Sequence, residues 1–181
     1  MGNFAEDLSD SAFDFLRVVY PKLIELKFIE GQLISIESAV TKGLIQQFDI
    51  LAGIDIWQLQ TDKGIRGIAN RIQWCQKAWN TFTIRKLRTS GTETEYEKRR
   101  RTIMQDNGWL YPYFIIQSYI TERRKGDLIA LAIAKTKDIF DMIEQKHYWE
   151  NINPQDNNTF ICVSWDKMYE MGYFIKTYIK S

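Results

Sequence analysis

The sequence has two cysteines, one histidine, almost no net charge and no long apolar run, and each shortage closes off a class of protein. Cys75 and Cys162 lie far apart in no paired-spacing motif, and His147 is the lone imidazole, so no structural zinc site is expected. Lys+Arg 24 against Asp+Glu 23 leaves a formal net charge of +1, so attraction to nucleic acid has to come from a local patch. No stretch reaches the roughly 18 apolar residues of a membrane span. The N-terminal MGNFAEDLSDSAF carries acids and no apolar run, which argues against a secretory signal, and Glu6 breaks the myristoylation pattern that Gly2 begins. A reducing, cytoplasmic location is the expectation. G-x-S-x-G, Walker A, G-x-G-x-x-G and H-E-x-x-H sequences are all missing, which removes several common enzyme classes.

What remains is ordinary globular material: 45% hydrophobic and 26% charged residues in 181, enough for one domain with a sizeable core. Aromatics reach 14%, and the six Trp occur singly, as buried packing residues do.

Leu8 to Leu26 reads as a helix, capped by Ser9, Asp10 or Ser11, with Phe13, Leu16, Val19 and Leu23 on one face and Pro21 bending or restarting it. GQLISIES is either a short strand or the opening of another helix, and Val40, Leu44, Ile45 and Phe48 favour a helix running toward Asp49. LAGIDIWQLQ and GIRGIANRIQW form a hairpin across TDK, and NTFTIRKLR is a third strand. A helix then opens with Thr92 and Glu95 at capping-box spacing and stops at Asn107-Gly108. YPYFIIQSYI and DLIALAIAKT are neighbouring strands across ERRKGD, Thr136 caps a further helix, and the tail adds a strand and a short helix or strand. The expected class is α/β of the α+β type. One domain spans 1–181, with a mixed central sheet flanked by helices, a core over about 10–135 and accessory elements over 136–181.

Phe48 through Trp74 holds the most suggestive chemistry. Asp55 follows Gly53 near a strand start, and Asp49 lies just upstream. On a period of two, Ala69, Arg71 and Gln73 share one face of the next strand, and Ile68, Asn70, Ile72 and Trp74 the other. A polar group inside a strand costs free energy unless paired, so Arg71 and Gln73 call for a reason. A carboxylate facing them can hold a hard cation through oxygens, with the Gln73 carbonyl adding a ligand and a guanidinium steadying a phosphate. The plainer alternatives are turn chemistry for the two Asp beside Gly and an exposed polar network for Arg71 and Gln73.

This element order, with an acid on one strand and a polar couple on the next, resembles the PD-(D/E)XK nuclease superfamily, the restriction-endonuclease-like fold with its αβββαβ core. The resemblance spans roughly residues 10–135. It implies Mg²⁺ or Mn²⁺ held by a helix Glu, a strand Asp and an acid-x-Lys pair, and phosphodiester cleavage. Asp55 matches the strand aspartate, Glu37 the helix glutamate, and Asp49 substitutes or assists. Where the acid-x-Lys pair should stand the chain has Arg71-Ile72-Gln73. Gln73 can serve as a neutral oxygen ligand, but Arg71 stays charged and cannot deliver a proton as Lys does.

Basic residues follow: Arg85, Lys86 and Arg88, then Lys98, Arg99, Arg100 and Arg101, then Arg123 to Lys125. They are either solvated surface or a track for a phosphate backbone. Arg85 and Arg88, three apart on a strand, are expected on opposite faces. The first functional expectation is a metal-dependent nuclease acting on DNA, or on RNA. Asp55, Asp49, Glu37 and Gln73 hold the metal, and Arg71 or Arg85 stabilises the phosphate charge. The second is a catalytically inactive nucleic-acid- or protein-binding module on the same scaffold, serving a mobile element, host defence or its counter. A homodimer is implied by the resemblance alone.

Overall fold

A computed structural model of the chain describes residues 10–29, 32–35, 55–60, 64–104 and 111–180. Helix α1 covers 10–25, and its middle, Phe15–Val19, is π-helical before Tyr20–Glu25 returns to α. Pro21 lacks an N–H to give to the preceding turn, and that turn is the widened one, closed by Tyr20 N–H to the Phe15 carbonyl. The wide turn also rotates the apolar face. Phe15, Val19 and Leu23 are buried, whereas Phe13 and Leu16, expected on that face, are 44% and 56% exposed.

Strands β1 (Gln32–Ser35), β2 (Ile56–Gln60), β3 (Gly64–Trp74), β5 (Phe114–Ile120), β6 (Leu128–Lys135) and β9 (Ile175–Ile179) form a mixed sheet in the order β1-β2-β3-β5-β6-β9. All neighbours are antiparallel except β3 and β5, which run parallel. A parallel pair needs a crossover. Here it is β4 (Thr81–Leu87) followed by helix α2 (Glu95–Met104). β4 leaves the first sheet and pairs instead with β8 (Thr159–Ser164), which β7 (Trp149–Ile152) flanks, in a second, antiparallel sheet. Helices α3 (Thr136–Glu144) and α4 (Trp165–Glu170) complete the α+β architecture. No helix among the described residues is long and apolar enough to cross a membrane.

The strand alternation sorts the core into two. Ile68 on β3, Ile116 and Ile120 on β5, and Leu131 and Ile133 on β6 pack against Phe15, Val19 and Leu23 of α1. The opposite face turns Ala69, Ile115, Tyr119, Ala130, Ala132 and Ala134 toward the second sheet and its helices. The small alanines of β6 share that layer with Trp165, Phe82 and Phe140, and Trp165 lies 5.7 Å from Tyr119 and 6.0 Å from Phe82, centroid to centroid. Trp165 fits the expectation of buried tryptophans, but Trp79 and Trp149 are exposed.

Several local expectations are corrected. The third strand of the expected core, β4, belongs to the second sheet, and β1 takes a place beside β2. The segment 136–181, expected as accessory, supplies β8 and β9 to the two sheets and the buried Trp165 to the core. The capping box of α2 is Thr94 with Glu97, not Thr92 with Glu95: Thr94 N–H donates to Glu97 at 2.8 Å and Glu97 N–H to Thr94 Oγ1 at 3.4 Å. That two-residue shift releases Glu95 for other work. Thr136 is the first residue inside α3, and its hydroxyl donates to the Pro112 carbonyl instead of capping. Asn107-Gly108 and the helix expected from Val40 to Asp49 lie outside the described residues.

Candidate functional site

The alternation read from the sequence of β3 holds: Arg71 and Gln73 project to the face that carries the second sheet. That face is covered, so both side chains need partners. Gln73 finds one, because its carbonyl oxygen accepts from the Gln117 amide at 3.1 Å. Gln117 is fully buried and in turn accepts from Thr83 N–H at 3.2 Å and the Thr83 hydroxyl at 2.9 Å, tying β3, β5 and β4 together. Gln73 is therefore a link in a buried network between the sheets.

Arg71 is different. Its guanidinium carbon lies 4.7 Å from the ring centroid of Phe160 on β8, and its Nε meets no hydrogen-bond acceptor among the described residues. Phe160 pairs in register with Arg85, whose guanidinium carbon is 5.5 Å from the same ring. The register slips between Arg85 and Leu87, so one extra residue breaks the alternation there. Arg85 and Arg88 accordingly reach the same carboxylate, contrary to the opposite faces expected. Glu95 Oε1 stands 3.0 Å from Arg88 and 3.9 Å from Arg85.

Glu95 opens α2, and Arg99, one turn later on the same helical side, is 7% exposed. The start of α2 is pinned to β4 by the Thr94 hydroxyl, which donates to the Lys86 carbonyl at 3.2 Å. Strand β4 thereby brings Arg85 and Arg88 to Glu95, and the fields of Arg71 from β3 and Arg99 from α2 bear on the same carboxylate.

Among the described residues the charged groups whose fields bear on Glu95 are arginines. Burial alone would raise the Glu95 carboxyl, but the fields of Arg85, Arg71, Arg99 and Arg88 reverse this and hold it below the ordinary carboxylate range. Burial pulls Arg71 down to about 10; Glu95 opposes the shift, and Arg85 and Arg99 add to it. Arg99 is lowered too, first by burial, with Glu95 and Asp55 pulling the other way. The Nε atoms of Arg71, Arg85 and Arg88 face no hydrogen-bond acceptor among the described residues, and neither does Glu95 Oε2 a donor. Withdrawing guanidinium groups from water costs several kcal/mol each unless they are compensated, on the order of magnitude seen for buried ions generally. A patch built at that expense is suited to an anion with several acceptor oxygens.

The other expected residues fall in three places. Asp55, just before β2, joins the edge of the cluster through its field on Arg99, and its Oδ2 accepts from Asn70 N–H at 2.6 Å. Arg100 and Arg101 turn away, to Glu144 at 3.2 Å and Glu93 at 2.5 Å. Of the run Lys98 to Arg101, Arg99 alone is among the four arginines whose fields bear on Glu95. Glu37 and Asp49 lie outside the described residues. His147 is exposed, Cys162 is buried on β8 with its thiol pushed up by burial, and Cys75 is half-buried.

Among the described residues no three His, Cys, Asp or Glu side chains group as metal ligands. Asp55 is bonded to the Asn70 backbone and lies in the field of Arg99, and the Gln73 oxygen is occupied by Gln117.

Sequence reasoning missed Glu95 and Phe160. Glu95 was absorbed into a capping box, although its four-residue spacing from Arg99 is itself a signal. Phe160 carries no local mark, since it reaches Arg71 and Arg85 only through strand pairing.

A second buried charge belongs to the scaffold. Asp14 of α1 is fully buried and accepts from Arg17 at 2.8 Å, the Trp74 indole at 2.9 Å and Arg124 N–H at 2.9 Å, fastening α1 to β3 and to the β5–β6 turn.

No protein-family model, curated protein or solved structure matches this chain.

Proposed function

We propose that the chain is a nucleic-acid-binding module that holds backbone phosphate at the cluster of Arg71, Arg85, Arg88 and Arg99. The observation that carries this reading is the pairing of Arg88 and Arg85 with the single carboxylate Glu95, on which the fields of Arg71 and Arg99 also bear. A net charge of +1 supplies no general attraction, so binding depends on this local cluster. Phosphate recognition by guanidinium needs no metal and no proton transfer, which suits a site that has Arg71-Ile72-Gln73 in place of an acid-x-Lys pair. Labelled single-stranded DNA, duplex DNA and RNA titrated with wild-type protein and with Arg71→Met test it. Binding to at least one polymer that weakens about tenfold in the variant supports the reading, one lost charge-assisted contact being worth about 1.4 kcal/mol or more. Binding to none contradicts it.

Metal-dependent cleavage is the second reading, supported by the place of Asp55 at the start of β2 and by the hairpin that sets β3 beside it. It requires ligands beyond those described, with Glu37 and Asp49 as the named candidates. Cleavage of plasmid or RNA that needs Mg²⁺ or Mn²⁺ and disappears in Asp55→Ala would establish it; cleavage retained in that variant would remove Asp55 from the role.

A further inference from the structure

The α1 face of the six-stranded sheet carries a row of rings and cations at its β9 edge, away from the arginine cluster. Alternation on β9 sends Lys176 and Tyr178 to this face, in register with Ile133 and Leu131, and Phe174 precedes them by the same step of two. Lys135 Nζ lies 5.6 Å from the Phe174 ring centroid, Lys176 Nζ 5.6 Å from that of Phe28, and Lys22 Nζ 4.4 Å from that of Tyr178. The row turns across the start of β5. Phe174 is 6.3 Å from Phe114, Phe114 meets Tyr113 edge-on at 4.6 Å, and the Arg66 guanidinium carbon is 4.5 Å from the Tyr113 centroid.

The cations of this row rest on rings more than on carboxylates. Glu25 pairs with Lys22 at 2.8 Å and Asp138 lies in the field of Lys135. Lys176 Nζ donates to the Lys27 carbonyl at 3.0 Å, and among the described residues no carboxylate forms an ion pair with Lys135, Lys176 or Arg66. A cation on a partly exposed ring is held weakly and can turn to a phosphate oxygen. Phe174 is 41% exposed, and Phe28, Tyr178, Phe114 and Tyr113 are half-buried, so the rings are backed by the core yet reached by solvent.

Rings interleaved with cations meet both needs of an unpaired strand, whose bases stack and whose phosphates are anionic. A duplex keeps its bases stacked inside and offers the row phosphate alone. A lipid surface calls for apolar side chains buried beneath the headgroups, whereas four of these five rings are half-buried beside their cations.

We propose that an unpaired nucleic-acid strand lies along this row, with its bases against Phe174 and the neighbouring rings and its phosphates on Lys135 and Lys176. The inference rests on the nucleic-acid reading above for the class of ligand, but on none of its residues.

The test titrates a labelled single-stranded oligonucleotide, and the duplex of the same sequence, against wild type, Phe174→Leu, Lys176→Gln and Arg71→Met. Circular dichroism checks folding, and co-sedimentation with phosphatidylserine vesicles is measured alongside. Leucine keeps the apolar bulk and removes the ring, so Phe174→Leu is expected to bind the single strand about tenfold more weakly and the duplex as wild type does. Lys176→Gln is expected to weaken single-strand binding and to lower its salt slope by about 0.7. Single-strand binding unchanged in both variants but weakened in Arg71→Met would overturn this inference and leave the arginine reading standing. Weakening in both with Arg71→Met unchanged would support this row and overturn the arginine reading. Equal losses for single strand and duplex in Phe174→Leu, or vesicle binding without oligonucleotide binding, would overturn the inference. No binding to either polymer would overturn both readings.

Discussion

The guanidinium of Arg71 lies 4.7 Å from the ring centroid of Phe160, and its Nε meets no acceptor among the described residues. A cation held on an aromatic face, with three further arginines bearing on the same glutamate, is an arrangement that folding alone does not favour. Stability and ligand binding should therefore pull in opposite directions at this position.

Arg71→Met is expected to raise the stability of the unliganded protein by about 1–2 kcal/mol, since a well-packed apolar side chain avoids the desolvation cost. The sign follows from the lowered value. Arg71 falls from the ordinary arginine value to about 10 in the folded protein, so between the two the folded state binds fewer protons. The penalty is thus full below about pH 10 and relieved as pH rises above it. Urea unfolding of wild type and variant, at neutral pH and above pH 10, should show the gap narrowing in alkali.

Glu95 has the opposite sign. Its folded value is depressed, so its contribution is present above the ordinary carboxylate range and is lost as pH falls through the depressed value. Glu95→Gln is expected to cost about 3 kcal/mol at neutral pH, because it leaves four arginines without their common counter-charge. The difference from wild type should shrink in acid. Sulfate or phosphate should restore the melting temperature of this variant more than that of wild type, by taking the place of the lost charge.

Asp14→Ala should destabilise by about 3–5 kcal/mol, because it strands Arg17, the Trp74 indole and Arg124 N–H together. Asp14 sits under α1, on the face of the sheet away from the arginines. Nucleic-acid affinity of the folded fraction should be unchanged, which titration at low temperature checks.

Gly126→Ala tests the β5–β6 turn. A Cβ there would stand 2.1 Å from the Glu122 backbone nitrogen, and the Gly126 carbonyl accepts from Arg17 at 2.5 Å. A loss of about 2 kcal/mol or more, read by thermal unfolding, is expected.

The periodic parts of the fold were legible. The β2–β3 and β5–β6 hairpins and the alternation of Arg71 and Gln73 against Ile72 and Trp74 follow from local pattern and turn residues, whereas the tail, expected as one strand and a short helix or strand, holds β8, α4 and β9. Where prediction failed, an extra residue had shifted the phase. The π-turn before Pro21 moved the buried face of α1 from Phe13 and Leu16 to Phe15, and the bulge after Arg85 brought Arg88 round to the same glutamate. Of the site, the arginines were visible as basic residues but their focus was not. Glu95 reaches Arg85 and Arg88 with α2 anchored to β4 at Thr94, and β4 departs into a second sheet, where Phe160 meets Arg71. Arg88 and Glu95 are near in sequence, but the approach of Phe160 to Arg71 lies in no local window.

The most direct test of the central claim is the salt dependence of nucleic-acid affinity, measured for wild type and Arg71→Met. If the arginine cluster holds phosphate, the logarithm of the affinity falls linearly with the logarithm of the salt concentration, and the variant shows weaker binding with a slope smaller by about one. Equal affinity and equal slope in the two proteins would contradict the account and place any nucleic-acid contact elsewhere on the molecule.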